Sequence, residues 1–296
     1  MSAGPVDAMA PAAGEAQPAG PTTGRARVRR PAPAVLRRIV LGALLPVLLI
    51  VCWDVLVRAQ VFPSALIPAP MTVLRALQDW AFGSGHRMFY SGKLTDDLTA
   101  TLVRVLVGFG AASVVGVFLG TLIGVSRTAE ELFAPLFRIL GPVPPATWIP
   151  VVIVVLGLGQ TTNYFLIFLG AVFPVISSSA VAVLGVNRDL LRAGRMMGRG
   201  RIGLVWSIVL PAALPGVVGG LRTALGLAWM MAVTSEMLAV HDGLGYMLWN
   251  AYSYMDYPGV FAAMIVTGLC GLVTDGLFRL LTRTTLRWHA DTGVRS

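Results

Sequence analysis

Residues 187–211 read NRDLLRAGRMMGRGRIGLVWSIVLP. Arg188, Arg192, Arg195, Arg199 and Arg201 make this stretch too polar to cross a bilayer. On either side, at about Tyr164–Val186 and about Leu210–Val240, the chain turns apolar for long enough to do so. A helix needs about 20 apolar residues to span the hydrocarbon core. The stretch therefore reads as a loop between two membrane helices, folded as a short helix over Asp189–Met197, a turn at Gly198–Gly200 and a second helical piece running into Ile208-Val209-Leu210-Pro211. It is either a solvated basic loop or a docking helix for a partner.

Working outward, four more apolar stretches appear: about Leu36–Val57, Leu98–Val125, Leu132–Leu156 and Val260–Leu281. The third is interrupted by Gly141-Pro142-Val143-Pro144-Pro145. The composition agrees: of 296 residues 56% are hydrophobic and only 12% charged, with a mean hydropathy of +0.76. A soluble domain carries about 25% charged residues. A soluble enzyme, a nucleic-acid-binding domain and a disordered protein are all disfavoured. The net charge of +9 follows topology. Basic residues gather before the first stretch (Arg25 to Arg38), at Arg127, in 187–211 and after the sixth stretch (Arg279 to Arg295). The intervening connections carry none, apart from a long first outer segment with Arg58, Arg75, Arg87 and Lys93. By the positive-inside rule both termini lie in the cytoplasm. That segment is expected to be partly helical around Met71–Trp80.

Cys52 and Cys270 lie inside apolar runs and form no disulfide framework, and His86, His241 and His289 show no metal spacing. Gly108, Gly110, Gly116, Gly120 and Gly124 line one helix face, for close helix packing or for a pore. Four ionisable residues fall at membrane depth: Arg104, Arg222, Glu236 and Asp275. Arg222 is expected either to pair with Asp275 or to face an anionic solute. Glu236 and Arg104, near the outer ends of their spans, form a packing or outer-gate pair or touch solute. The proline break is either a kink or, through Pro144, Pro145 and Trp148, part of a pathway. Met230 and Met231 are read as packing.

The opening stretch resembles the EAA loop of bacterial ABC importer permeases. That pattern is Glu-Ala-Ala, three residues, Gly, nine residues, then Ile-x-Leu-Pro; here it stands as Arg192-Ala193-Gly194, Gly198 and Ile208-Val209-Leu210-Pro211. Arg192 replaces the usual Glu and Gly194 the usual Ala. Further segments resemble the nitrate/sulfonate/taurine branch: Leu102 to Phe109, Pro142 to Pro150, Leu210 to Pro215, Ser235-Glu236-Met237-Leu238 and Gly243-Leu244-Gly245-Tyr246.

This resemblance implies an all-α polytopic membrane protein with six transmembrane helices and the type I ABC importer permease fold, in the bacterial inner membrane. Its organisation would be a disordered tail (1–34), a first membrane helix with an outer or interfacial segment (35–93), a permease core (94–288) with the coupling loop at 187–209, and a C-terminal tail (289–296). Arg192, Ala193, Gly194, Met197, Gly198, Leu210 and Pro211 would form the ATPase-coupling loop. Partners would be two ATP-binding cassette subunits, a second permease copy as homodimer, an extracytoplasmic solute-binding protein and membrane lipid, with no nucleic acid. The chain would hold no catalytic residue and no cofactor. It has no Gly-x-x-x-x-Gly-Lys-Ser/Thr loop, so ATP and magnesium would sit in the partner. The solute would be a small anion such as an alkanesulfonate, taurine or nitrate, or else a neutral heterocycle or vitamin precursor. An ion-driven carrier or channel is the remote rival.

Overall fold

The computed structural model describes residues 32–61, 63, 66–83 and 89–285. The tail expected over 1–34 lies outside them as far as residue 31, as do His86, Arg87, Arg287 and the C-terminal tail with His289 and Arg295. The chain divides into two compact units, residues 1–51 and 52–296. The described part of the first is the start of one helix, α1 (Ala32–Arg58), whose residues Leu44–Val51 expose their side chains. This helix contains the first expected membrane span.

In the second unit come α2 (Pro70–Phe82), α3 (Leu94–Val125), α4 (Arg127–Leu140), a 3-10 turn (Pro145–Trp148) and α5 (Ile149–Leu156). Then follow α6 (Gln160–Leu184), α7 (Arg188–Met196), α8 (Arg201–Leu204), a π-helical turn (Val205–Val209), α9 (Leu210–Ala239), α10 (Leu244–Ser253) and α11 (Tyr257–Thr285). No strand occurs among the described residues. Among the described residues, four helical segments are long and apolar enough to cross a membrane: Leu94–Val125, Gln160–Leu184, Ile202–Ala239 and Tyr257–Thr282. They coincide with the second, fourth, fifth and sixth expected stretches.

The third stretch parts at the break read in it, and neither piece is long enough to count as a membrane span. Gly141 still closes the last turn of α4 on the Phe137 carbonyl, but Pro142, Pro144 and Pro145 cannot sustain the i to i−4 ladder, since proline brings no N–H and clashes with the preceding turn. The chain breaks into amphipathic α4 and an apolar piece, Pro145–Leu156. At 1.5 Å per residue, α5 alone is about 12 Å long, well short of the ~30 Å core. A second consequence of proline appears before α9. Pro211 offers no N–H to Ser207, and the preceding turn widens into the π form, with the Leu210 N–H donating to the Val205 carbonyl.

Helix α6 is the spine. Leu166, Ile167, Ala171 and Val175 are fully buried, clasped between α3 and α9. The glycine face of α3 makes this clasp possible. A Cβ on Gly120 would stand 2.6 Å from the Ile176 carbonyl oxygen, and one on Gly108 or Gly116 would run into Ile167 or Val175. Gly110 falls off that face, about 200° around the helix from Gly108, and a Cβ there meets open space. Glycine was thus read correctly as a packing signal at 108, 116, 120 and 124 but not at 110.

These two environments predict opposite effects. Gly120→Ala should cost about 1–3 kcal/mol by forcing α3 off α6. Gly110→Ala should gain up to about 1 kcal/mol from helix propensity. Thermal unfolding of the detergent-purified chain checks both; equal behaviour would mean that the α3–α6 contact is slack.

Candidate functional site: a buried polar clasp and an exposed arginine knob

Polar chemistry gathers at the two ends of α6, which its 25 residues hold about 37 Å apart. At the Gln160 end, Arg104 of α3 is 1% exposed and Glu236 of α9 is 0% exposed. Nη1 of Arg104 donates to Oε1 of Glu236 at 2.8 Å and to the Asp242 carbonyl at 2.9 Å. Nη2 meets the Asp242 carboxylate, and Nε donates to Oε1 of Gln160 at 2.7 Å. The other carboxylate oxygen of Glu236 accepts from the Thr101 hydroxyl and from the Gly245 N–H, each at 2.9 Å. Thr101 Oγ1 in turn accepts from the Leu244 N–H. Asp97 accepts from the Gly243 N–H at 3.0 Å and from Trp80 Nε1 at 3.1 Å. One connected network thus fastens α2, α3, α6, α9 and α10.

Gly243 allows the tight turn. Its φ of 104° is left to glycine, and a Cβ there would collide with Arg104 and Glu236. Beside the clasp, the Tyr90 hydroxyl donates to Asp256 at 2.7 Å. Burial, followed by the Asp256 carboxylate, pushes that phenol above its ordinary range, so it remains a donor at physiological pH.

At the opposite end, α7 projects beyond α6. Asn187 caps it, its Oδ1 accepting from the Asp189 N–H at 2.8 Å. Gly198, with φ 76°, turns the chain back, its N–H donating to the Arg195 carbonyl. Gly194 is the buried residue of α7, and a Cβ on it would press on Ile208 and Leu204. That is what glycine in place of alanine provides here: α7 sits closer to the root of α9. Around this contact, Arg192, Ala193, Met197 and Gly198 are exposed, while Leu210 is half-buried and Pro211 exposed.

At mid-depth, Arg222 lies about 18 Å along α9 from Leu210. It holds Asp275 of α11 in a two-point ion pair of 2.5 and 2.9 Å, and Arg279 reaches the same carboxylate at 3.3 Å. Side chains of Arg222 and Asp275 are 46% and 35% exposed. Pro144 is exposed, and Pro145 and Trp148 are half-buried. Trp148 packs beside Ile149, Val152, Leu166 and Met231. Met231 is buried, whereas Met230 faces outward. Glu236, expected as a pathway candidate as well as a pairing one, has no free carboxylate face; within this chain it belongs to the clasp alone.

Asp242, Gln160, Thr101 and Asp97 were missed as clasp members in the sequence. Their signal existed in part: Asp97, Thr101 and Arg104 repeat at i, i+4 and i+7, a polar stripe on an otherwise apolar helix. Breaking the clasp from inside should be severe. Arg104→Ala, leaving Glu236 buried and unpaired, should destabilise by about 3–5 kcal/mol. Asp242→Asn, at a half-exposed partner, should cost no more than about 1 kcal/mol. Chemical unfolding in detergent separates the two; equal losses would make Asp242 the principal partner.

Comparison with known proteins gives this arrangement its context. Residues 112–287 match the family model described as "binding-protein-dependent transport system inner membrane component". A putative ABC transporter permease of Methanocaldococcus jannaschii is 34% identical over 86% of this chain and 93% of its own length. The taurine transport system permease protein TauC of Escherichia coli is 31% identical, over 83% and 88%. The nitrate import permease protein NrtB of Synechocystis is 30% identical, over 82% and 88%. Among solved structures, the inward-facing MetNI methionine ABC transporter matches in fold with a TM-score of 0.54 at 23% identity, over 64% of this chain and 96% of that one. The chain belongs to the binding-protein-dependent transport system inner membrane component family, as a multi-pass membrane permease of an ABC importer.

Proposed function

We propose that two copies of this chain form a solute pathway across the cytoplasmic membrane, driven by two ATP-binding cassette subunits and fed by an extracytoplasmic solute-binding protein. The observation that carries this reading is the α7 knob: exposed on its tip and sides, yet fastened at Gly194 to the root of the membrane segment Ile202–Ala239. In this reading the ATPase subunits seat α7 and bind ATP and magnesium, and this chain performs no chemistry of its own. Both termini and α7 face the cytoplasm, where the arginines concentrate. The Arg104 clasp then lies at the outer end, where solute is delivered. Arg192, Ala193, Gly194, Met197, Gly198, Leu210 and Pro211 form the coupling loop.

The proposed solute is a small anion. Relatives are named for taurine, aliphatic sulfonates and nitrate. Arg222 at mid-depth and Arg279, one turn nearer the C-terminal end of α11, share one carboxylate, Asp275, leaving one positive charge in excess on a partly exposed surface. Pro144, Pro145 and Trp148 join Arg222 as candidate pathway residues.

Gly198→Asp places a side chain where φ is 76° and should unseat α7. In proteoliposomes with the co-purified ATPase subunit, solute-stimulated ATP hydrolysis should fall by about tenfold or more, an effect of at least ~1.4 kcal/mol. Insertion and unfolding temperature should remain close to native. A chain that transports a solute without any ATPase subunit would overturn the reading. Arg222→Gln in the same vesicles should weaken uptake of anions selectively; equal loss for anionic and neutral solutes would remove Arg222 from the pathway.

A further inference from the structure

The three sides of α7 differ in chemistry. At about 100° per residue, Leu191 and Gly194 share the side turned to Leu204 and Ile208. Leu190, Ala193 and Met197 share a second side, and all three are exposed, Leu190 by 49% and Met197 by 71%. Arg188, Arg192 and Arg195 repeat at i, i+4 and i+7 on a third side, across the helix from the apolar one. Between these two, pointing away from the bundle, lie Asp189 and Met196; Met196 is 86% exposed. Asp189 pairs with Arg192 at 3.1 Å. Arg188 and Arg195 make no ion pair among the described residues. Counting Arg199 at the turn, the knob carries three positive charges in excess.

A helix seated by its tip meets the two walls of its groove with two different surfaces. Covering an arginine side desolvates guanidinium groups, which is unfavourable unless carboxylates meet them. Covering Leu190 and Met197 is favourable only against apolar atoms. Resting on the reading that an ATP-hydrolysing subunit seats α7, we propose that its groove has one apolar wall, facing Leu190, Ala193 and Met197, and one acidic wall, facing Arg188 and Arg195. Charge complementarity of this kind sets partner choice and association rate, so the chain would reject ATPase subunits whose wall is basic there.

The test uses the full chain in nanodiscs of phosphatidylcholine alone, titrated with the ATP-hydrolysing subunit that purifies with it. Native affinity should fall on going from low to high salt, which needs no variant to observe. Arg188→Glu combined with Arg195→Glu should raise Kd at least about tenfold and flatten the salt dependence. Arg188→Gln with Arg195→Gln should lie between, and Leu190→Ser should raise Kd while keeping the native salt dependence. An affinity indifferent to salt and to the arginine variants would overturn the proposal. So would an arginine effect that appears only after phosphatidylglycerol is added, which would assign that side to the membrane surface. If no ATP-hydrolysing subunit joins the native chain at all, the reading under Proposed function fails instead.

Discussion

The Arg104–Glu236 ion pair is the constraint from which the helix arrangement follows. Two opposite charges, both removed from solvent, are tolerable only when every donor and acceptor around them is engaged. Arg104 therefore draws Gln160, the Asp242 turn and Glu236 to itself, and Glu236 draws Thr101 and the start of α10. Each of those groups sits on a different helix or connection. The pair thus fixes the mutual rotation of α3, α6 and α9 at one end. The glycine face of α3 fixes its separation from α6 along the rest, and Gly216 and Gly220 of α9 meet Ala182 and Ser178 of α6 as closely. A sideways shift of either helix would break a buried charge contact or drive backbone into side chains.

This rigidity has a mechanical counterpart at the other end. Gly194 presses α7 on Ile208, within the π turn that leads into α9. Because α9 runs unbroken from Leu210 to Ala239, a displacement of α7 is handed to a helix whose far end is clasped to α3 and α10. Motion then passes to the unit as a whole, not to single helices sliding in the bundle. The compliant link is the π turn, where the proline at 211 has already removed a ladder bond. In the proposed transport cycle, a rotation or tilt that changes access would be taken there and at surfaces outside the clasp.

What was legible in the sequence follows from the same physics. Long apolar stretches announce spans because lipid tolerates nothing else, and α3, α6, α9 and α11 lie where hydropathy puts them. The Asn187–Pro211 loop was legible because a cap, a positive-φ glycine and a proline each have fixed positions around a short helix. Arg222–Asp275 followed from depth alone. The interruption of the third stretch was legible in Pro142, Pro144 and Pro145, but hydropathy, which counts apolar residues without asking whether the backbone between them can stay helical, still made it a span. Glu236 was legible as an intramembrane charge, but not as an enclosed one. Its enclosure depends on Asp242 and Gly245, which come from a connection whose path no periodicity reveals. Gly110 breaks the four-residue spacing of the contact glycines: two residues from Gly108, it stands about 200° around the helix and so does not face α6.

Arg222 and Asp275 raise the remaining question of how the chain meets its surroundings. Their pair resembles the clasp in geometry, being two-point and short, yet it differs in burial. Arg104 is closed on all sides, whereas Arg222 stands 46% open about halfway along α9. A guanidinium at that depth facing hydrocarbon would be unfavourable even when paired, because the outer face of the pair still needs water or polar atoms. The exposed face of α9 around it carries Gly219, Thr223 and Gly226, which present little bulk. A surface of small residues around an open ion pair is poorly suited to lipid and well suited to a neighbouring helix or a water-filled passage. In the proposed assembly of two copies this face is the one that has most to gain from being turned inward. The clasp, which needs nothing from outside, can be left to hold the shape.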